Sequence, residues 1–128
     1  MNKKILLVED DAALAEGLQI ILEDEGYSVL TISDGKAIAE SILQYQPDLI
    51  LMDFRLPGKD GGELTRSLKQ SVQTKQIPVV MMSANQQNLQ EISRSVGANA
   101  FLLKPFEMAE LINMIEDELS KTRKRSVH

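Results

Sequence analysis

The 128-residue chain contains no cysteine and one histidine, His128. A disulfide framework and thiolate metal sites are therefore excluded, and the missing thiols suit a reducing compartment. With its single imidazole at the chain end, the sequence also offers no zinc-type ligand set. Long apolar runs are missing too. The charged start Met1-Asn2-Lys3-Lys4 leads into Ile5-Leu6-Leu7-Val8 but stops at Glu9, too short for the core of a signal peptide. No later stretch approaches the ~20 apolar residues needed to cross a bilayer. A cytoplasmic protein without membrane association is expected. There is no G-x-x-x-x-G-K-[ST] loop for a nucleotide, and no Ser/Thr/Gly-rich turn after the first apolar run to cradle a flavin phosphate.

What is present is acid. The chain has 14 Lys and Arg against 19 Asp and Glu, a net charge of −5. Four of the basic residues (Lys121, Arg123, Lys124 and Arg125) lie in the last eight positions, leaving ten against 19, or −9, for the body. A body this acidic argues against nucleic acid as its main partner and suits cation binding or a partner with a basic face. The length fits one domain, expected over residues 1–120. Residues 121–128 are then a basic tail or the start of a linker.

Apolar runs alternate with segments of helical period. Strands are expected at Lys4–Val8, Tyr27–Ile32, Asp48–Asp53, Ile77–Ser83 and Ala100–Leu103. Between them, Asp11 caps a helix carrying Leu14, Leu18, Ile21 and Leu22 and ending at Gly26. Asp34 opens a helix with Ile38, Ile42 and Tyr45. A loop with Pro57, Gly58, Gly61 and Gly62 precedes a short helix with Leu64 and Leu68. Helices over Gln86–Val96 and from Glu107, the latter through Leu111, Ile112, Ile115 and Leu119, complete the series. Continuous apolar strands joined by helices predict an α/β fold: a doubly wound, five-stranded parallel sheet of flavodoxin-like order 2-1-3-4-5.

Such sheets bind ligands outside the carboxyl ends of their strands. Those ends carry Glu9-Asp10-Asp11, Asp53, Ser83 and Lys104-Pro105. Taken singly, each has a structural explanation: a helix cap, a loop acceptor, a turn residue or a surface lysine. Taken together, they place several carboxylates, a hydroxyl and an ammonium on one edge. Clustered carboxylates repel unless a cation sits among them, and oxygen ligands suit Mg²⁺. The set fits phosphoryl transfer to a carboxylate, with Asp53 as nucleophile and Lys104 supplying positive charge. Asp10 and Asp53 would hold Mg²⁺ directly and Glu9 through water. Ser83 would hydrogen-bond a phosphoryl oxygen.

In this order and spacing the motifs closely resemble the receiver domain of bacterial two-component response regulators, across about residues 3–120. They are Ile5-Leu6-Leu7-Val8-Glu9-Asp10-Asp11, Asp48-Leu49-Ile50-Leu51-Met52-Asp53, Leu56-Pro57-Gly58 with Asp60-Gly61, Ile77 through Ala84, Gly97-Ala98, and Phe101-Leu102-Leu103-Lys104-Pro105-Phe106. The resemblance implies that Asp53 takes phosphate from a sensor histidine kinase or phosphotransfer protein and that the domain catalyses only its own phosphorylation and dephosphorylation. It adds the Arg55 backbone carbonyl to the Mg²⁺ ligands, with Mn²⁺ as a substitute ion, and a cis peptide before Pro105. It makes Ser83 and Phe101 the switch pair, Phe101 lacking the hydroxyl of the tyrosine common there. Arg55 and Asn85 flank the path of the attacking water and tune dephosphorylation; Arg55 either shields the phosphate or lies in solvent. A downstream effector or C-terminal output domain is the expected partner. Gly97-Ala98-Asn99-Ala100 lacks the acidic pair of the winged-helix subfamily, and Asn113, Met114, Glu116 and Asp117 stand where basic residues would be expected. That subfamily's dimer is therefore less expected, and a stand-alone receiver, or one linked to another kind of output module, more so; a monomer or a weak phosphorylation-dependent dimer is expected.

Three rivals are weaker. A flavodoxin-like electron carrier would have its phosphate repelled by Glu9-Asp10-Asp11. An Asp-nucleophile phosphohydrolase would want a second Asp where Arg55 stands. A receiver fold serving purely as a binding module leaves the complete set of site residues unexplained.

Overall fold

A computed structural model describes residues 2–56, 59–84 and 89–126. Five strands form one parallel sheet: β1 (Lys4–Val8), β2 (Ser28–Ile32), β3 (Leu49–Asp53), β4 (Val79–Ser83) and β5 (Ala100–Leu103). Their spatial order is β2-β1-β3-β4-β5, the expected flavodoxin-like order. The helices between and after them are α1 (Ala12–Asp24), α2 (Ile38–Tyr45), α3 (Gly61–Gln70), α4 (Leu89–Val96) and α5 (Met108–Ser126).

Alternation along each strand divides the core between the two sheet faces. Ile5, Leu7, Leu49, Leu51, Val80 and Met82 pack beneath α1 and α5, meeting Leu18, Leu22, Leu111 and Ile115. Leu6, Val8, Ile50, Met52 and Met81 face the other way, onto Ile38 and Ile42 of α2, Leu64 and Leu68 of α3, and Val96 of α4. Every residue of β3 is buried. This explains the continuous apolar runs: a strand covered on both faces has no polar side to alternate with.

Local signals set the helix starts. Asp11 accepts a hydrogen bond from the Leu14 N–H at 3.1 Å and caps α1. Gly26, at φ 98°, lets the chain turn after that helix. Strands β2, β3 and β4 start one or two residues later than expected, and three larger details differ from the sequence reading. Asp34 caps a short 3-10 turn (Gly35–Ala37), and α2 begins only at Ile38. Gly61 and Gly62 are not loop residues: Asp60 accepts from the Gly62 N–H at 2.6 Å and starts α3 there. Arg55–Leu56 pairs antiparallel with Lys59–Asp60 in a two-residue ladder that periodicity could not reveal. The last helix continues to Ser126. Among the described residues, no helix is long and apolar enough to cross a membrane.

Candidate functional site

The carboxyl ends of β1, β3, β4 and β5 enclose a cleft of about 520 Å³ lined by Glu9, Asp10, Asp53, Arg55, Ser83 and Lys104, among others. Register places these groups together. Val8 pairs with Met52, Asp53 with Met82, and Ser83 with Leu103, so each polar residue lies at or just beyond a shared strand edge. Backbone bonds extend the ladder past the strands: the Phe54 N–H donates to the Met82 carbonyl at 2.8 Å, and the Lys104 N–H to the Ser83 carbonyl at 2.8 Å.

Glu9, Asp10 and Asp53 each offer a carboxylate oxygen, all within 4.8 Å of one another. Glu9 is only 2% exposed and Asp53 only 6%, whereas Asp10 is open to solvent. The Lys104 ammonium bridges the buried pair, 3.1 Å from Glu9 Oε1 and 3.5 Å from Asp53 Oδ2. Glu9 Oε2 also accepts from the Asp11 N–H at 3.2 Å, and Asp53 Oδ1 from the Arg55 N–H at 3.4 Å. Burial pushes the Glu9 carboxyl up to about 7, helped by hydrogen bonding to Asp53 and by the Asp53 charge, against the Asp11 N–H and Lys104. One ammonium does not neutralise three clustered carboxylates. A divalent cation with oxygen ligands fits the donor set, and the missing thiolate and imidazole donors match its hardness.

The remaining expected residues separate into two groups. Ser83 is buried at the end of β4 and lines the cleft. Arg55 is an exposed residue at its rim. Phe101 lies outside the cleft, half-buried against the α2–α4 side of the core, in register with Met81. The Lys104–Pro105 peptide is cis. Asn85 lies outside the described residues. Sequence reading missed the direct pairing of Lys104 with Glu9, which links residues 95 positions apart and has no local signal. A second cavity, about 580 Å³ between α2 and α3, has no carboxylate in its lining and offers no comparable chemistry.

The raised Glu9 carboxyl gives a testable pH dependence. Its proton is held more tightly in the folded protein than at the ordinary value of 4.5. The stability it contributes is therefore complete below about 4.5 and lost as pH rises through about 7. In metal-free buffer, thermal melts should show wild type losing stability relative to Glu9→Gln across that interval. Parallel melting curves for the two proteins would remove the assignment. Since a cation and a proton compete here, Mg²⁺ affinity should climb over the same range.

A doubly wound sheet with an acidic, lysine-bridged cleft at its carboxyl edge defines the class: an α/β protein whose carboxylate cluster could hold a metal ion. The chain belongs to the response regulator receiver domain family, whose model matches residues 5–116. The DNA-binding response regulator MtrA of Mycobacterium tuberculosis is 34% identical over 122 residues, covering 94% of this chain and 52% of MtrA. A CheY-like receiver domain protein from Methanospirillum hungatei superposes with a TM-score of 0.89 at 27% identity, covering 98% of this chain and 99% of that one. The receiver domain of sensor histidine kinase PA1611 from Pseudomonas aeruginosa, crystallised with a magnesium ion coordinated in its active site cleft, gives a TM-score of 0.85 at 32% identity, covering 94% and 99%. The chain spans about half the length of the curated relatives it matches. Receiver domains of two-component systems are signalling switches rather than dedicated enzymes.

Proposed function

We propose that the domain is switched by a phosphoryl group accepted on Asp53 from a sensor histidine kinase or phosphotransfer protein. The observation that carries this reading is the position of Asp53: a nearly buried carboxylate, grouped with Glu9 and Asp10 and 3.5 Å from the Lys104 ammonium. Asp10, Asp53 and the Arg55 carbonyl would hold Mg²⁺, or Mn²⁺ in its place, with Glu9 acting through water. When bound, the ion supplies positive charge to the transferring phosphoryl oxygens.

In the transfer, one Asp53 carboxylate oxygen attacks phosphorus. A P–O bond forms as the donor's P–N bond breaks, and the departing imidazole takes up a proton from solvent. Lys104 turns from its carboxylate partners toward the phosphoryl oxygens, where an ammonium is most effective against charge developing in a partly dry cleft. The Ser83 hydroxyl donates to another of those oxygens, drawing the end of β4 inward, and Phe101 repacks on the neighbouring strand. Arg55 and Asn85 set the lifetime of the adduct by controlling the approach of water. The altered surface then acts on an effector or an output domain, in a cytoplasmic protein that is monomeric or dimerises weakly when phosphorylated. The acidic body gives the domain itself no nucleic-acid contact.

Incubation with acetyl phosphate or phosphoramidate and Mg²⁺ tests the reading by intact-mass spectrometry. A labile phosphoryl adduct should form on wild type and disappear in Asp53→Ala and after chelation. An adduct that persists in Asp53→Ala would move the acceptor elsewhere. A folded wild-type protein that takes no phosphoryl group from either donor would leave a binding module as the better description.

A further inference from the structure

Gly61 is the first residue of α3 and lies against the strand end that carries Asp53. Its backbone is not in the left-handed region; among the described glycines only Gly26 and Gly97 have positive φ. Conformational freedom therefore does not call for glycine here, and glycine in a helix costs about 0.5–1 kcal/mol relative to alanine. Space calls for it. A Cβ at this position would overlap the Asp53 carbonyl oxygen and stand 3.0 Å from both Cα and the carbonyl oxygen of Phe54. All three obstacles are backbone atoms, so no side-chain rotation relieves them. Gly35 is different, because a Cβ there would meet only the movable side chain of Leu64.

Two hydrogen bonds hold the contact. The Gly61 N–H donates to the Phe54 carbonyl at 2.8 Å. The fully buried Thr65 hydroxyl donates to the Gly61 carbonyl at 2.8 Å. The Asp53 and Phe54 peptides are thus held between β4, through the Phe54 N–H, and the start of α3. We infer that Gly61, braced by Thr65, is a positioning residue for the phosphoacceptor: it holds the backbone from which the Asp53 carboxylate reaches the cleft and which continues to Arg55, the proposed carbonyl ligand. The inference rests on the proposed role of Asp53.

Mg²⁺ affinity, measured by calorimetry without any phosphodonor, and the rate of adduct formation from phosphoramidate at saturating Mg²⁺ together test it. Displacing reacting groups by about 1 Å can cost ~100-fold. Gly61→Ala should therefore weaken Mg²⁺ binding by about tenfold and slow adduct formation by ~10–100-fold. Thr65→Val should shift both in the same direction by a smaller factor, and Thr65→Ser, which keeps the donor, should match wild type. Leu68→Ala supplies the control: it truncates a core residue further along the same helix and should lower the melting temperature while leaving the Mg²⁺ affinity within about twofold of wild type. Gly61→Ala with wild-type affinity and rate overturns the inference, as does a Leu68→Ala protein that loses affinity in step with stability. If Gly61→Ala does not fold, the Thr65 pair decides: equal behaviour of Val and Ser at that position overturns it. A wild type that binds Mg²⁺ but forms no adduct would instead count against Asp53 as acceptor.

Discussion

Lys104→Met should slow adduct formation on Asp53 by about 10²–10³-fold while strengthening Mg²⁺ binding. The two effects have one cause. In the resting protein the Lys104 ammonium is the counter-charge for Glu9 and Asp53, at 3.1 and 3.5 Å. Removing it leaves two nearly buried carboxylates without that partner, so a cation entering the cleft meets a more negative site. In the proposed transfer the same ammonium turns to the phosphoryl oxygens, and loss of one preorganised charge-stabilising group typically costs 10²–10³-fold in rate. Methionine keeps most of the aliphatic length, which separates charge from packing. Phosphoramidate kinetics over a Mg²⁺ titration measure both quantities. A variant that lost rate and Mg²⁺ affinity together would indicate that Lys104 shapes the cleft rather than supplying charge.

Leu51→Ala should lower stability by about 2–5 kcal/mol, the usual cost of removing a buried leucine side chain where the surroundings cannot collapse. Leu51 is fully buried on β3, the strand flanked by β1 and β4, and packs beneath α1 and α5. The residue pairs with Leu7 on one side and Val80 on the other, so neither neighbour can move in without disturbing a ladder. For a domain of this size the loss corresponds to roughly 10–20 °C in melting temperature. Leu43→Ser on α2 makes the comparison: Leu43 is 71% exposed, and its replacement should stay within about 0.5 kcal/mol of wild type. Urea denaturation of both variants checks the contrast. A small Leu51→Ala effect would mean that the centre of the sheet repacks far more freely than its burial implies.

The parts of this protein that could be read from sequence share a physical property: their signals are local and repeated. Ile5-Leu6-Leu7-Val8 and Leu49-Ile50-Leu51-Met52 are uninterrupted because both sheet faces are covered, and that pattern is written in consecutive residues. The positions of Glu9, Asp10, Asp53, Ser83 and Lys104 followed from the strand ends, since a parallel sheet gathers those ends on one edge. What was missed depends on contacts with no local trace. The Arg55–Leu56 and Lys59–Asp60 ladder is too short to show a period. Gly61-Gly62 looks like a loop because glycine disfavours helix, and only the nearness of the Asp53 and Phe54 backbones explains the first of these glycines at a helix start. The 3-10 turn before α2 hides behind a correctly placed Asp34 cap. Phe101 sits on the predicted strand, but its separation from the cleft is set by tertiary packing on the α2–α4 side of the sheet.

The Lys104 bridge has a consequence for where the molecule opens. β5 is the outermost strand on its side and only partly buried, with Leu102 its one fully covered residue. Strands of this kind open in local fluctuations more readily than the centre of a sheet, and their amides exchange with solvent through such openings. Beyond its ladder with β4, β5 is tied by the adjoining Lys104 side chain to Glu9, at the end of a strand two places further across the sheet. Transfer of that ammonium to a phosphoryl group on Asp53 would release the tie to Glu9 and leave the strand end anchored over Asp53 alone. Amide protection along β5 and the first turn of α5 would then report the state of the cleft, while β2, on the opposite edge and outside the bridge, would exchange at an unchanged rate.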